Sequence, residues 1–235
     1  MIDILQKYGL IFLVGQWPEG PMGGLGLTLF LALCGLVFAF PLAVLMGVAR
    51  VSRFRLVYWP VSALVHTIRG LPVLMIIFWA YFVVPLVIGQ TVSGVTTVIC
   101  ALVAYETAFM AEIVRAGILS IPPGQVEASR SLGLNYFKTM RRVVLPQALY
   151  QMLPSILNQF INLIKNTSLG YIISVNELTY SAYQVNAQLL TKPFQVYAIL
   201  ALVYFLICYS MSRLTGLVER RIAARRSPVQ ISGAA

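Results

Sequence analysis

From Gly24 to Ala49 the chain runs for 26 residues without one charged side chain. A hydrocarbon core about 30 Å thick calls for a helix of about 20 apolar residues. A soluble core can absorb one such run, but four more follow, and the reading is five spans at about 24–49, 71–88, 94–118, 143–164 and 194–217. The second closes a longer apolar stretch, Leu56–Ile88, which is interrupted at Arg69-Gly70-Leu71-Pro72. Its membrane part reads as Leu71–Ile88, with Val57–Thr67 an interfacial or tilted extension. Overall 59% of residues are hydrophobic and 10% charged, against roughly 45–50% and about 25% in soluble domains. Residues 1–235 therefore read as one membrane domain, with no repeat and no room for a soluble unit. The tail from Arg220 is expected to fray.

Net charge is +10. The basic residues fall between apolar runs, with no aromatic-interleaved basic face, so the partner is anionic lipid and not nucleic acid. Of seventeen Lys and Arg, three (Lys7, Lys165, Lys192) fall on one set of alternate connections and fourteen on the other. The basic side faces the cytoplasm. The expected fold class is all-α integral membrane, with five transmembrane helices, the N-terminus outside and the C-terminus inside. Met1–Gln16 lacks the pattern of a cleaved signal peptide. Cys34, Cys100 and Cys208 each lie in an apolar run without metal-type pairing and read as small fillers. His66 is the single histidine, which leaves no histidine relay in one chain, and it reads as interfacial.

The connection 120–146, on the basic side, is too patterned for a linker. Ser120-Ile121-Pro122-Pro123-Gly124 stops span three, since proline cannot continue the helical ladder. Gln125–Leu132 then reads as a short helix with Glu127 in its first turn. Gly133 stands where a helix stop needs positive φ. Asn135 can cap a second helix with Lys138, Arg141 and Arg142 on one side and Phe137, Met140 and Val144 on the other. Leu145-Pro146 opens span four.

Glu127-Ala128-Ser129, Gly133 and Val143-Val144-Leu145-Pro146 resemble the EAA motif of ABC importer permeases. Ser129 stands for the usual second alanine and Val143 for the usual isoleucine. Gly26-x-Thr28, Gly47, Arg50-x-Ser52, Arg69-Gly70-Leu71-Pro72, the run Ala111–Ile118 and Asn166-Thr167-Ser168-Leu169 resemble the polar amino-acid branch of that family. Phe109 departs from it, where many relatives have tyrosine. The resemblance implies that Glu127, Ala128, Gly133, Leu145 and Pro146 form a coupling loop docking into a separate ATPase dimer, which holds ATP and Mg. It also implies a second permease subunit, identical or homologous, a periplasmic amino-acid-binding protein and a bacterial inner membrane. This chain has no G-x-x-x-x-G-K-[ST] loop of its own and is expected to bind no cofactor and catalyse no reaction.

In span four, Gln147, Gln151, Ser155, Asn158, Gln159 and Asn162, with Lys165 and Asn166 just past its end, fall within an arc of roughly 120° at about 100° per residue. Buried amides must be satisfied in hydrocarbon, so this stripe faces a substrate pathway or forms a helix–helix seam. Glu106, near the middle of span three, either meets substrate or bonds a neighbouring helix. Glu112 and Arg115 are spaced to pair locally, and Arg69, Gly70 and Pro72 mark a bend. Tyr171–Thr191 reads either as a short outer helix or gate that could touch a solute-binding protein, or as an ordinary amphipathic connector. An ATP-independent carrier or channel would leave the 120–146 pattern without purpose. An intramembrane enzyme would need a nucleophile–base pair that does not appear.

Overall fold

The computed structural model describes residues 1–226, and every regular element among them is helical. Two helices form the spine. α2 (Gly24–Ala49) buries Leu31, Ala32, Gly35, Ala39, Ala43 and Gly47 along one face, and α6 (Gly94–Leu119) packs on that face in the most extensive helix pair of the fold. Small residues permit the approach: a Cβ on Gly47 would stand 2.5 Å from Val114 Cγ1. Ser93 caps α6 by accepting the Thr96 amide at 3.2 Å.

The stretch 55–88 folds as two limbs. α3 (Arg55–Arg69) ends at Gly70, and α4 (Val73–Phe78) starts after Pro72, whose ψ of 137° is extended. α4 continues through a π-helical turn, Trp79–Val83, into α5 (Val84–Ile88). The limbs meet at 102°, because the proline withholds an N–H and biases Leu71 away from helix. What read as an interfacial extension is thus a separate helix, with Ser62 and Val65 buried.

α7 (Pro123–Ser131) begins two residues before the expected Gln125, because Pro123 suits the first helical position. Glu127 consequently lies beyond the first turn. The second short helix is likewise not free-standing. α8 (Tyr136–Thr139) runs through a π turn, Met140–Val144, straight into α9 (Leu145–Asn166). A 3-10 turn, Thr167–Ile173, then leads to α10 (Leu178–Leu189). α11 (Pro193–Arg226) overruns both the span expected to end at 217 and the fraying expected from Arg220. The rest of that tail lies outside the described residues.

The main core forms where α2, α4, α6 and α9 meet, around Leu31, Ile77, Leu102, Leu163 and Ile164. α1 (Ile2–Val14), a helix not read from the sequence, sets Ile4, Tyr8 and Phe12 against Leu178, Ala182 and Val185 of α10 and Val196 and Ile199 of α11. Among the described residues three helices are long and apolar enough to cross a membrane: α2, α6 and α11. The α3–α5 pair makes a fourth if taken as one broken span. α9 falls short of that measure because its polar stripe lowers its hydropathy.

Candidate functional site

The loop 120–146 is held at one end of the bundle by its own side chains. Gly133 takes φ 79°, its N–H donates to the Arg130 carbonyl at 2.9 Å, and Leu134 N–H donates to Ser129 at 3.1 Å. This pair of bonds is a Schellman stop. Asn135 Oδ1 accepts the Lys138 amide at 2.9 Å, capping α8. Ser129, the departure from the family motif, is buried and its hydroxyl donates to Thr139 at 3.2 Å, fastening α7 to α8. Glu127, Ala128, Gly133 and Pro146 are exposed and Leu145 is half-buried. A groove of about 380 Å³ runs between Glu127, Arg130 and Tyr136 on the loop and Val51 and Arg53 beyond the end of α2.

Inside the bundle, Glu112 is a hub. Its Oε1 accepts Arg115 Nε at 3.0 Å, while Oε2 accepts Arg50 and lies 3.5 Å from Arg69 Nη1. Arg50 is buried and also reaches Ser62 at 3.4 Å and His66 at 3.3 Å. One carboxylate therefore ties α2 and α3 to α6. The Arg69 guanidinium also stands 5.3 Å over the Phe109 ring, a cation–π contact at the bend formed by Gly70 and Pro72. The Glu112–Arg115 pair expected from spacing is present. The convergence of Arg50, Arg69 and His66 on it was not legible, since those partners come from distant segments.

The stripe on α9 divides in two. Gln159 Nε2 donates to Glu106 at 2.7 Å and Asn166 Nδ2 at 3.3 Å, so these amides turn inward and satisfy a fully buried carboxylate. Ser155, Asn158, Asn162 and Lys165 stay exposed as an outer rail. Gln147 bonds its own helix at Val143, 2.8 Å away, and Gln151 accepts the Ser120 hydroxyl at 3.1 Å. A cleft of about 440 Å³ opens between Glu112, Ala116 and Ser120 of one wall and Gln151 and Ser155 of the other.

At the opposite end sits a joint that sequence reading missed. Glu177 caps α10, accepting the amides of Thr179 at 2.8 Å and Tyr180 at 3.0 Å, and the Tyr204 hydroxyl donates to it at 3.2 Å. Burial pushes its carboxyl from 4.5 up to about 7, although these bonds pull the other way. The folded chain holds this proton more tightly than the unfolded chain. Stability from Glu177 is therefore full below 4.5 and is lost as pH rises through 7. The thermal midpoint of the detergent-solubilised chain should fall between pH 5 and pH 8, and Glu177→Gln should flatten that slope. An unchanged slope in the variant would remove Glu177 from this role.

The profile of the family described as "Binding-protein-dependent transport system inner membrane component" matches residues 39–224. A probable glutamine ABC transporter permease protein of Bacillus subtilis (strain 168), GlnP, is 37% identical over 96% of this chain and 100% of its own length. The L-cystine transport system permease protein TcyB of the same organism is 36% identical, over 88% of this chain and 87% of its own. Among solved structures, an amino acid ABC transporter with histidines superposes with a TM-score of 0.82 at 29% identity, over 94% of this chain and 98% of that one. With the geometry of the 120–146 loop and the apolar helices already in place, the chain belongs to the binding-protein-dependent inner membrane components, as a permease subunit of the amino-acid ABC importer type.

Proposed function

We propose that this chain forms half of the membrane pathway of an ATP-driven importer of polar amino acids, coupled to its ATPase through Glu127 and the α7–α8 loop. The observation that carries the reading is the loop itself. Its Schellman stop and Asn135 cap hold an exposed Glu127 on a rigid knob, and α8 continues without a break into the helix that bears the polar stripe. A push on the knob is therefore applied to α9. Relatives named for glutamine, L-cystine and glutamate/aspartate support a polar amino acid as the substrate.

In this reading the five spans are α2, the broken α3–α5 pair, α6, α9 and α11, in a bacterial inner membrane. The basic loop end faces the cytoplasm and the N-terminus lies outside. ATP and Mg sit on the partner ATPase dimer, a periplasmic binding protein delivers the amino acid, and a second permease subunit completes the channel. Ser155, Asn158, Asn162 and Lys165 line the route, since an exposed polar rail at membrane depth must face water or protein and not lipid. Their hydroxyl, amide and ammonium groups supply the donors and acceptors that a zwitterion needs. Glu106, Gln159 and Asn166 hold α6 to α9 behind the rail.

The test is uptake of L-glutamine, L-glutamate and L-cystine into proteoliposomes carrying the chain with its ATPase and binding protein. Uptake of at least one should require ATP inside the vesicle. Uptake at full rate without ATP would mark an ATP-independent carrier instead.

A further inference from the structure

Two joints sit at the two ends of α2, and both lie outside the outer rail. At the loop end, Val48 and Val51 pack into the same apolar cluster as Ile118, Ile121, Val126, Met140 and Val144. The segment that closes α2 thus shares one apolar cluster with α7 and with the π turn that continues α8. The Tyr136 hydroxyl lies 3.5 Å from the Val51 carbonyl. Arg50, immediately before Val51, pins α2 to Glu112 of α6 and to Ser62 and His66 of α3.

At the far end the contacts are bonds to the segment that opens α10. Thr28 Oγ1 accepts the Leu178 amide at 3.1 Å, and Gly24 N–H donates to the Asn176 carbonyl at 2.9 Å. Glu177, between those two residues, is fully buried and receives Tyr204 from α11. Thr28 is itself fully buried, so no water stands ready to replace its bond to Leu178.

Between the joints α2 is one continuous helix, with Pro41 inside it withholding one ladder bond. Its 26 residues extend about 39 Å at 1.5 Å per residue. A Cβ on Gly35 would stand 3.1 Å from Leu163 of α9, and one on Gly47 2.5 Å from Val114 of α6. Interiors packed this closely do not deform continuously; they shift as bodies.

We infer that α2 carries the displacement of the docking loop to α10 at the opposite face, with Thr28 as the positioning residue at the far joint. This rests on the docking reading above and adds a second route beside the covalent one through α9. It gives α10 a defined job: the helix moves when the loop moves, although neither packs on the other.

The test uses the intact complex of permease, ATPase and binding protein in proteoliposomes. ATP hydrolysis and L-glutamine uptake are followed in the parent, Thr28→Val and Thr28→Ser. In a background with the three native cysteines replaced by alanine, Tyr183→Cys on the exposed side of α10 reports motion through its labelling by a membrane-impermeant maleimide. Thr28→Val should keep hydrolysis within about twofold, lower uptake about tenfold and abolish the ATP-dependent change in labelling. Thr28→Ser, which keeps the acceptor, should restore all three. A merely structural threonine would lower hydrolysis and uptake together, and that outcome, like an unchanged labelling response in Thr28→Val, overturns the inference. A parent in which ATP alters neither uptake nor labelling would instead sink the docking reading, and the α2 route with it.

Discussion

Glu112→Ala lowers the unfolding midpoint of the solubilised chain by roughly 6–12 °C, on the scale of about 2–4 °C per kcal/mol for a chain of this size. The reason is the number of charges that one carboxylate serves. Arg50, Arg69 and Arg115 all converge on it, and the Arg50 side chain is only 4% exposed. Removing the carboxylate leaves that guanidinium buried and unpaired, at about 3 kcal/mol or more. Glu112→Gln retains an acceptor and should recover part of the loss. Arg115→Ala offers the internal control. Its side chain is 32% exposed, so its deletion releases a partly solvated charge and should cost about 1 kcal/mol or less. Equal losses for Glu112→Ala and Arg115→Ala in a thermal melt would show that the three-helix convergence on Glu112 contributes nothing beyond the local pair.

Gly133→Val abolishes most ATP-coupled uptake while the chain still inserts. At φ 79° a β-branched residue meets its own carbonyl, at about 1–2 kcal/mol of backbone strain. The loop relieves that strain by giving up the bonds from Gly133 to Arg130 and from Leu134 to Ser129. Because Gly133 is exposed and no atom beyond its chain neighbours lies within 4 Å of where its Cβ would stand, the damage falls on the α7–α8 stop and the aim of Glu127 before it reaches the bundle. Uptake should drop about tenfold or more, with the amount of chain in the membrane unchanged. Gly133→Asn, which tolerates the left-handed region, should keep most of the activity. Normal transport by the valine variant would mean that the docking geometry does not depend on this stop.

Some of this was legible because it is local. Gly133 as the stop, Asn135 as the cap and Leu145-Pro146 as the opening of α9 each follow from one residue's backbone preference. The break at Gly70–Pro72 does too. Boundaries slipped where two local rules competed: Pro123 serves equally as a terminator of the preceding helix and as the first residue of the next, and it does the second. α1 carried a signal, apolar residues at Ile4, Tyr8 and Phe12 at one-turn spacing, that a search for spans of twenty residues passes over. The bonds of Arg50 to Ser62, of Thr28 to Leu178 and of Glu177 to Tyr204 had no local signal, since those partners lie 12 to 150 residues away.

Glu106 and Glu112 mark the division most clearly. The apolar runs, the asymmetry of Lys and Arg and the pattern of the 120–146 loop were enough to indicate a membrane protein with a structured loop at its basic end, because each rests on composition or on neighbours a few residues apart; the permease reading came from the resemblance of that loop and its flanks to a known family. Along the chain the two acids look alike, carboxylates six residues apart on one apolar helix. Packing gives them different surroundings. Residue 106 faces the amides of α9, whereas residue 112 faces guanidiniums brought by α2 and α3 together with Arg115 of its own helix. Six residues on a helix amount to a rotation of about 240°, so the two side chains leave in different directions, and which neighbours wait there is a property of the assembled bundle.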